Sequence, residues 1–164
     1  MTSRIATLAA ATLIPFTLAL VPPGARAEEP SREVFENGLV RVKSAYPFNG
    51  TIDRIKQDVA AKGIMFFFAV DQSKLASEAG IKLRPSTLLV FGNPALGAQF
   101  ITSNPDAGID WPVRLLVSED ETGAVWTIYN DFHYVARRHG ILDRDAAFDK
   151  ASEVIASITS NISR

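Results

Sequence analysis

LRPSTLLVFGNPALGAQF, residues 83–100, carries the clearest structural pattern in this chain. Residues 87–91 form an apolar run whose length and composition are typical of a buried β-strand. The run stops at Gly92, and the next two residues, Asn93 and Pro94, are favoured at the N-cap and at the first position of a helix. The stretch therefore predicts a strand that turns directly into a helix.

The break at Gly92 does not complete either of two catalytic motifs. Gly92 and Gly97 have the spacing of a phosphate-binding loop, but Ala98 and Gln99 stand where that chemistry needs a lysine and a hydroxyl. A nucleophile elbow needs a serine between paired glycines, and this turn has none. These departures argue against a nucleotide hydrolase and against a hydrolase of the elbow type.

Two interpretations of the turn stay open. In the first, Asn93 only caps the helix. In the second, the free backbone amides of Ala95 and Leu96 also offer a weak anion site beside Asn93. The two are compatible, so Asn93 is a candidate ligand-binding residue as well as a cap.

The first 27 residues have the pattern of a secretory signal peptide. Arg4 supplies a positive charge, residues 5–21 are largely apolar, and residues 25–27 make an A-x-A cleavage site. The apolar run is shorter than the roughly 20 residues that a membrane-spanning helix needs, and it contains a proline. We therefore expect cleavage before Glu28, no membrane attachment afterwards, and a periplasmic or secreted protein.

Composition narrows the possible functions. The 164 residues include no cysteine, which rules out disulfides, thiol catalysis and c-type haem attachment. The formal net charge is −1 and basic residues do not cluster beyond Arg137 and Arg138, so nucleic-acid binding is not expected. This length predicts a single domain, which we place at residues 39–164 after a polar lead-in at residues 28–38.

Hydrophobic periodicity predicts the elements of the first half. Residues 39–46 alternate between apolar and polar, as in a strand with one solvated face. Apolar residues recur every three or four positions over residues 52–59, which predicts a helix with Thr51 as its N-cap. Residues 64–70, IMFFFAV, are apolar throughout and predict a strand that is buried on both faces.

The second half predicts a hairpin followed by two helices. Residues 113–118 and 125–129 are predicted strands joined by an acidic turn with a glycine. A short helix follows Asp131 and ends at RRHG, and the final helix covers about residues 145–162. The order predicts an α+β domain of two layers, with a mainly antiparallel sheet in β-α-β(4)-α order and short helical inserts.

This layout leaves one face of the sheet without an obvious cover. Two long helices can cover only one face, whereas the predicted strands carry apolar side chains on both. The short inserts, a second copy of the chain or a ligand must then cover the other face, because monomers rarely expose large apolar patches. We therefore expect a homodimer or a bound small molecule.

Several motifs, taken together, resemble a bacterial and archaeal family known as domain of unknown function 302. The motifs are GIKLRPSTLLVFGNPALG, IDWPVRLLVSEDETGAVWTIYND and ARRHGI, and the resemblance covers residues 40–141. The family's fold, which resembles the β-α-β(4)-α layout of the TATA-box-binding protein fold, implies the same order of elements and nothing about DNA. The resemblance implies no particular reaction and leaves any cofactor open.

The resemblance also marks individual positions. The residues that match the family pattern are Arg84, Pro85, Gly92, Asn93, Pro94, Asp110, Pro112, Tyr129, Asp131, His139 and Gly140. Gln72 departs from the pattern, because many members have a histidine directly after the aspartate that matches Asp71. Any metal, haem or proton-transfer role that needs that histidine is in doubt in this chain.

Arg114 and the histidines are the charged positions with most bearing on function. Arg114 interrupts an apolar strand on the face of Leu116, so it needs a carboxylate partner or a bound anion, and Asp71 is a possible partner. His133 and His139 are six residues apart on one helix and point to different sides, which argues against a shared metal. A histidine at a helix end also has an ordinary role beside the last carbonyls.

We expect an exported, non-catalytic domain that self-associates or holds a small, partly apolar ligand. Arg114 and Asn93 are its expected polar anchors, and Asp71, Tyr129 and His139 are further candidate contacts. No set of metal ligands is recognisable in the sequence.

The alternative is an enzyme, either a hydrolase or an isomerase. In that case Asp71, Asp131 and His139 act as acid–base groups around a pocket. This hypothesis requires the three side chains to converge on one concave site.

Overall fold

The computed structural model describes residues 32–163, so the predicted signal peptide and its cleavage site at Glu28 lie outside the described residues. The strands are β1 Arg32–Val34, β2 Leu39–Lys43, β3 Met65–Asp71, β4 Ser86–Gly92, β5 Val113–Glu119 and β6 Val125–Asn130. They form one six-stranded sheet in the order β1-β2-β6-β5-β4-β3, and every neighbouring pair is antiparallel.

Helices connect several of these strands and follow the last one. They are α1 Phe48–Ala61, α2 Gln72–Glu78, α3 Pro94–Ser103, α4 Phe132–Arg138 and α5 Asp145–Ser160, with a short 3₁₀ helix at Pro105–Ile109. None of the helices in residues 32–163 is long and apolar enough to cross a membrane. The predicted α+β class with an antiparallel sheet is confirmed.

Four of the helices share the core with one face of the sheet. Leu89 of β4 and Leu115 of β5 are fully buried in one apolar cluster with Ile55 of α1. Phe148 of α5 stacks on Phe100 of α3, with 4.1 Å between the ring centroids, and α4 joins the same cluster. Burial of this face supplies the main favourable free energy of folding.

The hairpin of β5 and β6 and the strand β4 form as predicted, but β3 does not. IMFFFAV was expected to be buried on both faces, and this prediction is wrong because β3 is an edge strand. Phe68 is 54% exposed, and Phe67 forms a bulge where the pairing with β4 shifts register. The apolar composition of β3 therefore belongs to a partly solvated edge, whereas the mostly buried apolar strand is its inner neighbour β4.

Two further expectations need correction. Residues 28–38 were predicted as a polar lead-in before the domain, yet Arg32–Val34 pairs with β2 as the edge strand β1. Thr51 was predicted as an N-cap, but α1 begins at Phe48 after Pro47, so Thr51 lies inside the helix. Thr51 is fully buried, and its hydroxyl donates to the backbone oxygens of Tyr46 and Pro47 instead.

The second face of the sheet is not covered by the four core helices, and we call it the open face. Its central row crosses five strands in register and consists of Arg41, Ile128, Leu116, Leu88 and Val70, all partly exposed. The neighbouring positions Phe68, Arg114, Asn130, Lys43 and Trp126 lie on the same side, and so does Val90, which is buried at 5% exposure. Of the three inserts expected to cover this face, α3 and α4 pack on the opposite one. The expected homodimer stays a prediction.

The acidic turn of the β5–β6 hairpin is held by a single carboxylate. Asp120 accepts hydrogen bonds from Thr122 through both the hydroxyl and the backbone amide, at 2.7 and 2.9 Å. It also accepts from the Ala124 amide at 3.0 Å and from the Trp126 indole at 2.7 Å. The hydrogen bond from the Thr122 hydroxyl, followed by that from Trp126, holds the pKa of Asp120 well below its usual range.

We expect Asp120→Asn to remove part of the acid dependence of stability. The pKa of this carboxyl is about 3.9 in the unfolded chain and lower in the folded chain. The unfolded chain therefore binds more protons at acidic pH. The stabilisation is present above about pH 4 and is lost as the pH falls towards the folded pKa. Denaturant unfolding between about pH 2 and pH 6 should show that the free energy of unfolding changes less steeply with pH in the variant than in the parent protein.

Glu121→Gln is the matched control, because Glu121 belongs to the same turn but pairs only with the exposed Arg84, at 3.0 Å. If the free energy of unfolding depends on pH equally in Asp120→Asn and in the parent protein, Asp120 is not the source of this acid dependence.

Candidate functional site

A pocket opens between α3 and α5 on the helical side of the sheet, and we call it the α3–α5 pocket. Its volume is about 710 Å³ and most of its lining is apolar. The apolar wall consists of Ile64, Phe91, Leu96, Phe100, Trp111, Val113, Phe132, Ala151, Val154 and Ile155. Polar side chains stand around it, namely Lys62, Asn93, Gln99, Lys150, Glu153 and Ser157. This volume falls in the range of small-molecule sites, roughly 300–1,000 Å³.

Trp111 shapes one wall of the pocket because two glycines let its indole approach closely. A side chain at Gly97 would overlap the indole ring, and one at Gly92 would meet Nε1 at 3.2 Å. Phe67 packs against the other side of Trp111 edge to face, with 6.1 Å between centroids. Close packing of α3 against Trp111 thus explains the glycine at position 97 without any phosphate chemistry.

We expect Gly97→Ala to destabilise the fold by about 1–3 kcal/mol, the usual cost of overpacking a filled site. The new methyl group must displace Trp111, so the tryptophan emission should change with the free energy of unfolding. Gly108→Ala is the control, since its methyl group would meet Ile101 at an ordinary 3.9 Å. Equal stability of the two variants would show that the indole moves aside without cost.

Asn93 has the first of the two roles that the sequence left open, the helix cap, and the anion site stays a prediction in which the Leu96 amide is already used by that cap. Its side-chain oxygen accepts a hydrogen bond from the Leu96 amide at 3.2 Å, which makes it the N-cap of α3. Pro94 takes the first helical position, as predicted. Because Asn93 also stands at the pocket, the cap leaves its side-chain amide group next to any occupant.

A second constellation surrounds the carboxylate of Asp110, at the end of the sheet where β5 begins and β6 ends. The Asp110 side chain is 3% exposed, and His139 Nε2 lies 2.7 Å from its Oδ2 atom. Arg138 approaches both oxygens at 3.4 and 3.5 Å, and Arg114 and Asn130 approach Oδ1 at 3.4 and 3.5 Å. We call these five residues the Asp110 cluster.

The folded chain brings the Asp110 cluster together from three separate segments. Asp110 follows the 3₁₀ helix, Arg114 belongs to β5 and Asn130 to the end of β6. Arg138 and His139 come from the last turn and the C-cap of α4, and the His139 carbonyl accepts from Asn104 Nδ2 at 2.8 Å. The cluster holds the end of α4 against the edge of the open face.

The partner suggested for Arg114 was wrong. Its guanidinium donates to the Ile109 carbonyl and approaches Asp110, not Asp71. Asp71 caps α2, where it accepts from the Lys74 amide at 2.9 Å and the Ser73 hydroxyl at 2.8 Å. These hydrogen bonds lower the pKa of Asp71, and the bond from the Lys74 amide has the largest effect.

The acid–base set of the enzyme hypothesis is not assembled. Asp71 is the last residue of β3 and pairs with Thr87. Asp131 follows the last residue of β6, which lies three strands away and at the opposite end of the sheet. Asp131 caps α4 through a 2.7 Å hydrogen bond from the Tyr134 amide, and His139 pairs with Asp110. The three side chains therefore do not line one concave site, and this hypothesis is not carried further.

The other candidate contacts are also separated from one another. Tyr129 is 3% exposed and points into the core, where burial raises the pKa of its phenol. Asn93 stands at the α3–α5 pocket, while Arg114 and His139 belong to the Asp110 cluster. The predicted polar anchors Asn93 and Arg114 thus serve different surfaces.

Sequence reasoning missed Trp111 as a pocket wall and Asp110 as the centre of the cluster. Asp110 was marked only as a family position, and Arg138 and Asn130 were not candidates. The signal for Asp110 was its place four residues before Arg114, next to the loop that precedes β5. Its pairing with His139, 29 residues later, depends on where α4 ends.

No group of three or more histidine, cysteine, aspartate or glutamate side chains in residues 32–163 is arranged to hold a metal ion.

The fold and these two surfaces define an α+β domain built on an antiparallel sheet with helices packed on one side. The chain belongs to the family described as "Domain of unknown function DUF302", which matches residues 40–161. The solved structure of an uncharacterized conserved DUF302 protein from Bacillus stearothermophilus has a similar fold, with a TM-score of 0.70. That match covers 76% of this chain and 98% of the other at 16% identity, so it shows the fold alone.

Curated relatives extend the comparison to longer proteins. Over 119 residues the chain is 36% identical to "Fluoride-specific ion channel FluC 1" of Brucella suis and to "Fluoride-specific ion channel FluC 2" of Brucella melitensis. The matches cover 72% of this chain, but 47% and 44% of those proteins. The chain therefore spans about half the length of the curated relatives that it matches.

Proposed function

We propose that the protein is an exported, non-catalytic binding domain that holds a small, partly apolar ligand in the α3–α5 pocket. The observation that carries this proposal is the pocket itself, an apolar space of about 710 Å³ beside Trp111. Export rests on the N-terminal sequence pattern described above. The separation of Asp71 from Asp131 and His139 supports a role in binding rather than in acid–base chemistry.

The lining indicates what the ligand would look like. Aromatic walls at Phe91, Phe100 and Trp111 suit a flat or branched apolar body, whereas Asn93 and Lys150 stand where a polar end would lie. Lys150 is already paired with Glu153 at 3.2 Å and Lys62 with Asp58 at 2.7 Å, so the pocket as a whole does not select one sign of charge. A ligand with an apolar body and a neutral hydrogen-bonding group fits best.

The two tryptophans of the chain allow a direct test, because they lie on opposite faces of the sheet. Trp126→Phe leaves Trp111 as the single reporter in the pocket wall. We expect the uncharged apolar dye N-phenyl-1-naphthylamine to bind this variant and to quench Trp111 by energy transfer. Trp111→Phe, which keeps only Trp126, should show much weaker quenching.

A filled pocket supplies the matched comparison. Ala95→Phe places a ring at the pocket and should weaken dye binding about tenfold, equivalent to about 1.4 kcal/mol. Ala98→Phe puts the same ring on an exposed position of α3 outside the lining and should leave binding unchanged. If both variants bind the dye like the parent, the pocket is not the binding site.

The curated relatives support a second candidate, a role in fluoride handling. Those proteins are named as fluoride-specific ion channels, and this chain matches about half of their length. Because the match is partial, we propose only that the domain interacts with fluoride, and not that it transports it. Sodium fluoride should then change the tryptophan emission where sodium chloride at equal ionic strength does not. An identical response to both salts would reject this candidate.

A further inference from the structure

The Asp110 cluster contains more hydrogen-bond donors than its one carboxylate can use. Two guanidinium groups, the Asn130 amide and the His139 ring face Asp110, and only the His139 contact is short, at 2.7 Å. The Arg114 and Arg138 contacts are 3.4 Å or longer, and these side chains are 42% and 52% exposed. Each guanidinium has five donors in a planar fork, so both present unused donors to solvent.

The charges of the cluster do not balance either. Two arginines face one carboxylate, which leaves an excess of one positive charge even with His139 neutral. Asp131 is the other acid at this end of β6, and its carboxylate is turned to the Tyr134 amide as the cap of α4. A second acceptor between Arg114 and Arg138 would satisfy both the donors and the charge.

Apolar side chains adjoin the cluster on the open face. Arg114 pairs across the sheet with Val90, and Val90 pairs with Phe68, which is 54% exposed. Leu116 and Ile128 lie one step further along the same two strands that carry Arg114 and Asn130. An anionic group held at the arginines would thus have an apolar surface directly beside it.

We propose that the open face binds a molecule with a carboxylate head and an apolar body, and that the head lies between Arg114 and Arg138. A carboxylate matches the planar fork of arginine better than a spherical anion does, because it accepts two parallel hydrogen bonds. The apolar body lies over Leu116, Ile128 and Leu88, which are partly exposed and adjacent across the sheet. This site is separate from the α3–α5 pocket, which is on the other side of the sheet.

Charge favours this occupant over a second copy of the chain. The charged side chains on the sheet positions of the open face are Arg41, Lys43, Arg114 and Glu33. The one acid, Glu33, is already 3.5 Å from Arg41, so two such faces brought together would place positive charges opposite each other. A ligand that brings its own negative charge avoids this repulsion.

The test uses octanoate titrated into the full mature chain by calorimetry, with acetate and octylammonium as control probes. We expect octanoate to bind, acetate to bind much more weakly because it lacks the apolar body, and octylammonium not to bind. Raising the ionic strength should weaken octanoate binding, since the site is exposed.

Adjacent arginines on α4 provide matched variants. Arg138→Gln should weaken octanoate binding about tenfold, as expected for the loss of one charge-assisted hydrogen bond. Arg137→Gln removes the same charge from the next residue, whose guanidinium faces the Tyr134 ring at 6.0 Å, and should leave binding unchanged. Arg114→Gln should act like Arg138→Gln, and thermal unfolding of each variant checks that the fold is retained.

Each other result overturns the proposal. Octanoate that fails to bind, or binds equally to the Arg137 and Arg138 variants, removes the carboxylate site. Binding that is lost in Ala95→Phe but kept in Arg138→Gln assigns octanoate to the α3–α5 pocket and supports that function alone. Light scattering that shows a dimer, together with loss of that dimer in Arg114→Gln, makes the open face an interface between copies instead.

Discussion

The buried carboxylate of Asp110 is the interaction on which the far end of this sheet depends. Removing one partner from a buried ion pair typically costs about 3–5 kcal/mol, because the other charge is left in a medium of low dielectric constant. Asp110 is 3% exposed, so its burial requires compensating contacts, which His139 provides at 2.7 Å and Arg114, Arg138 and Asn130 provide at 3.4–3.5 Å. The position where α4 ends, and with it the route of the chain into α5, follows from that requirement.

The central part of the fold could be predicted from the sequence because local pattern and tertiary position agree there. Residues 87–91 and the hairpin residues 113–129 are apolar or alternating in the way their final burial demands. β3 was misjudged because composition cannot distinguish a central strand from an edge strand, and strand order is a non-local property. β1 was missed because its three exposed residues show no strand pattern of their own and are extended only through their pairing with β2.

The candidate sites were less predictable than the fold, for a related reason. Arg114 was correctly singled out, since a charge within an apolar strand needs a partner. Its partner could not be chosen from the sequence, because Asp71 and Asp110 are both reachable until the strand order places them at different ends. The sequence signal for the α3–α5 pocket was weaker. The spacing of Gly92 and Gly97 suggested phosphate binding, whereas in the structure both glycines allow Trp111 to approach closely.

Asp110 and Trp111 are consecutive residues, yet they serve opposite sides of the sheet. Asp110 gathers the cluster at the open face, and Trp111 forms a wall of the α3–α5 pocket. One short loop before β5 therefore supplies residues to both surfaces. Arg114 donates to the Ile109 carbonyl in that loop, which ties the loop to the strand that follows it. The two surfaces therefore share one structural support. The packing of Gly97 against Trp111 and the pairing of Asp110 with His139 fix that loop from either side.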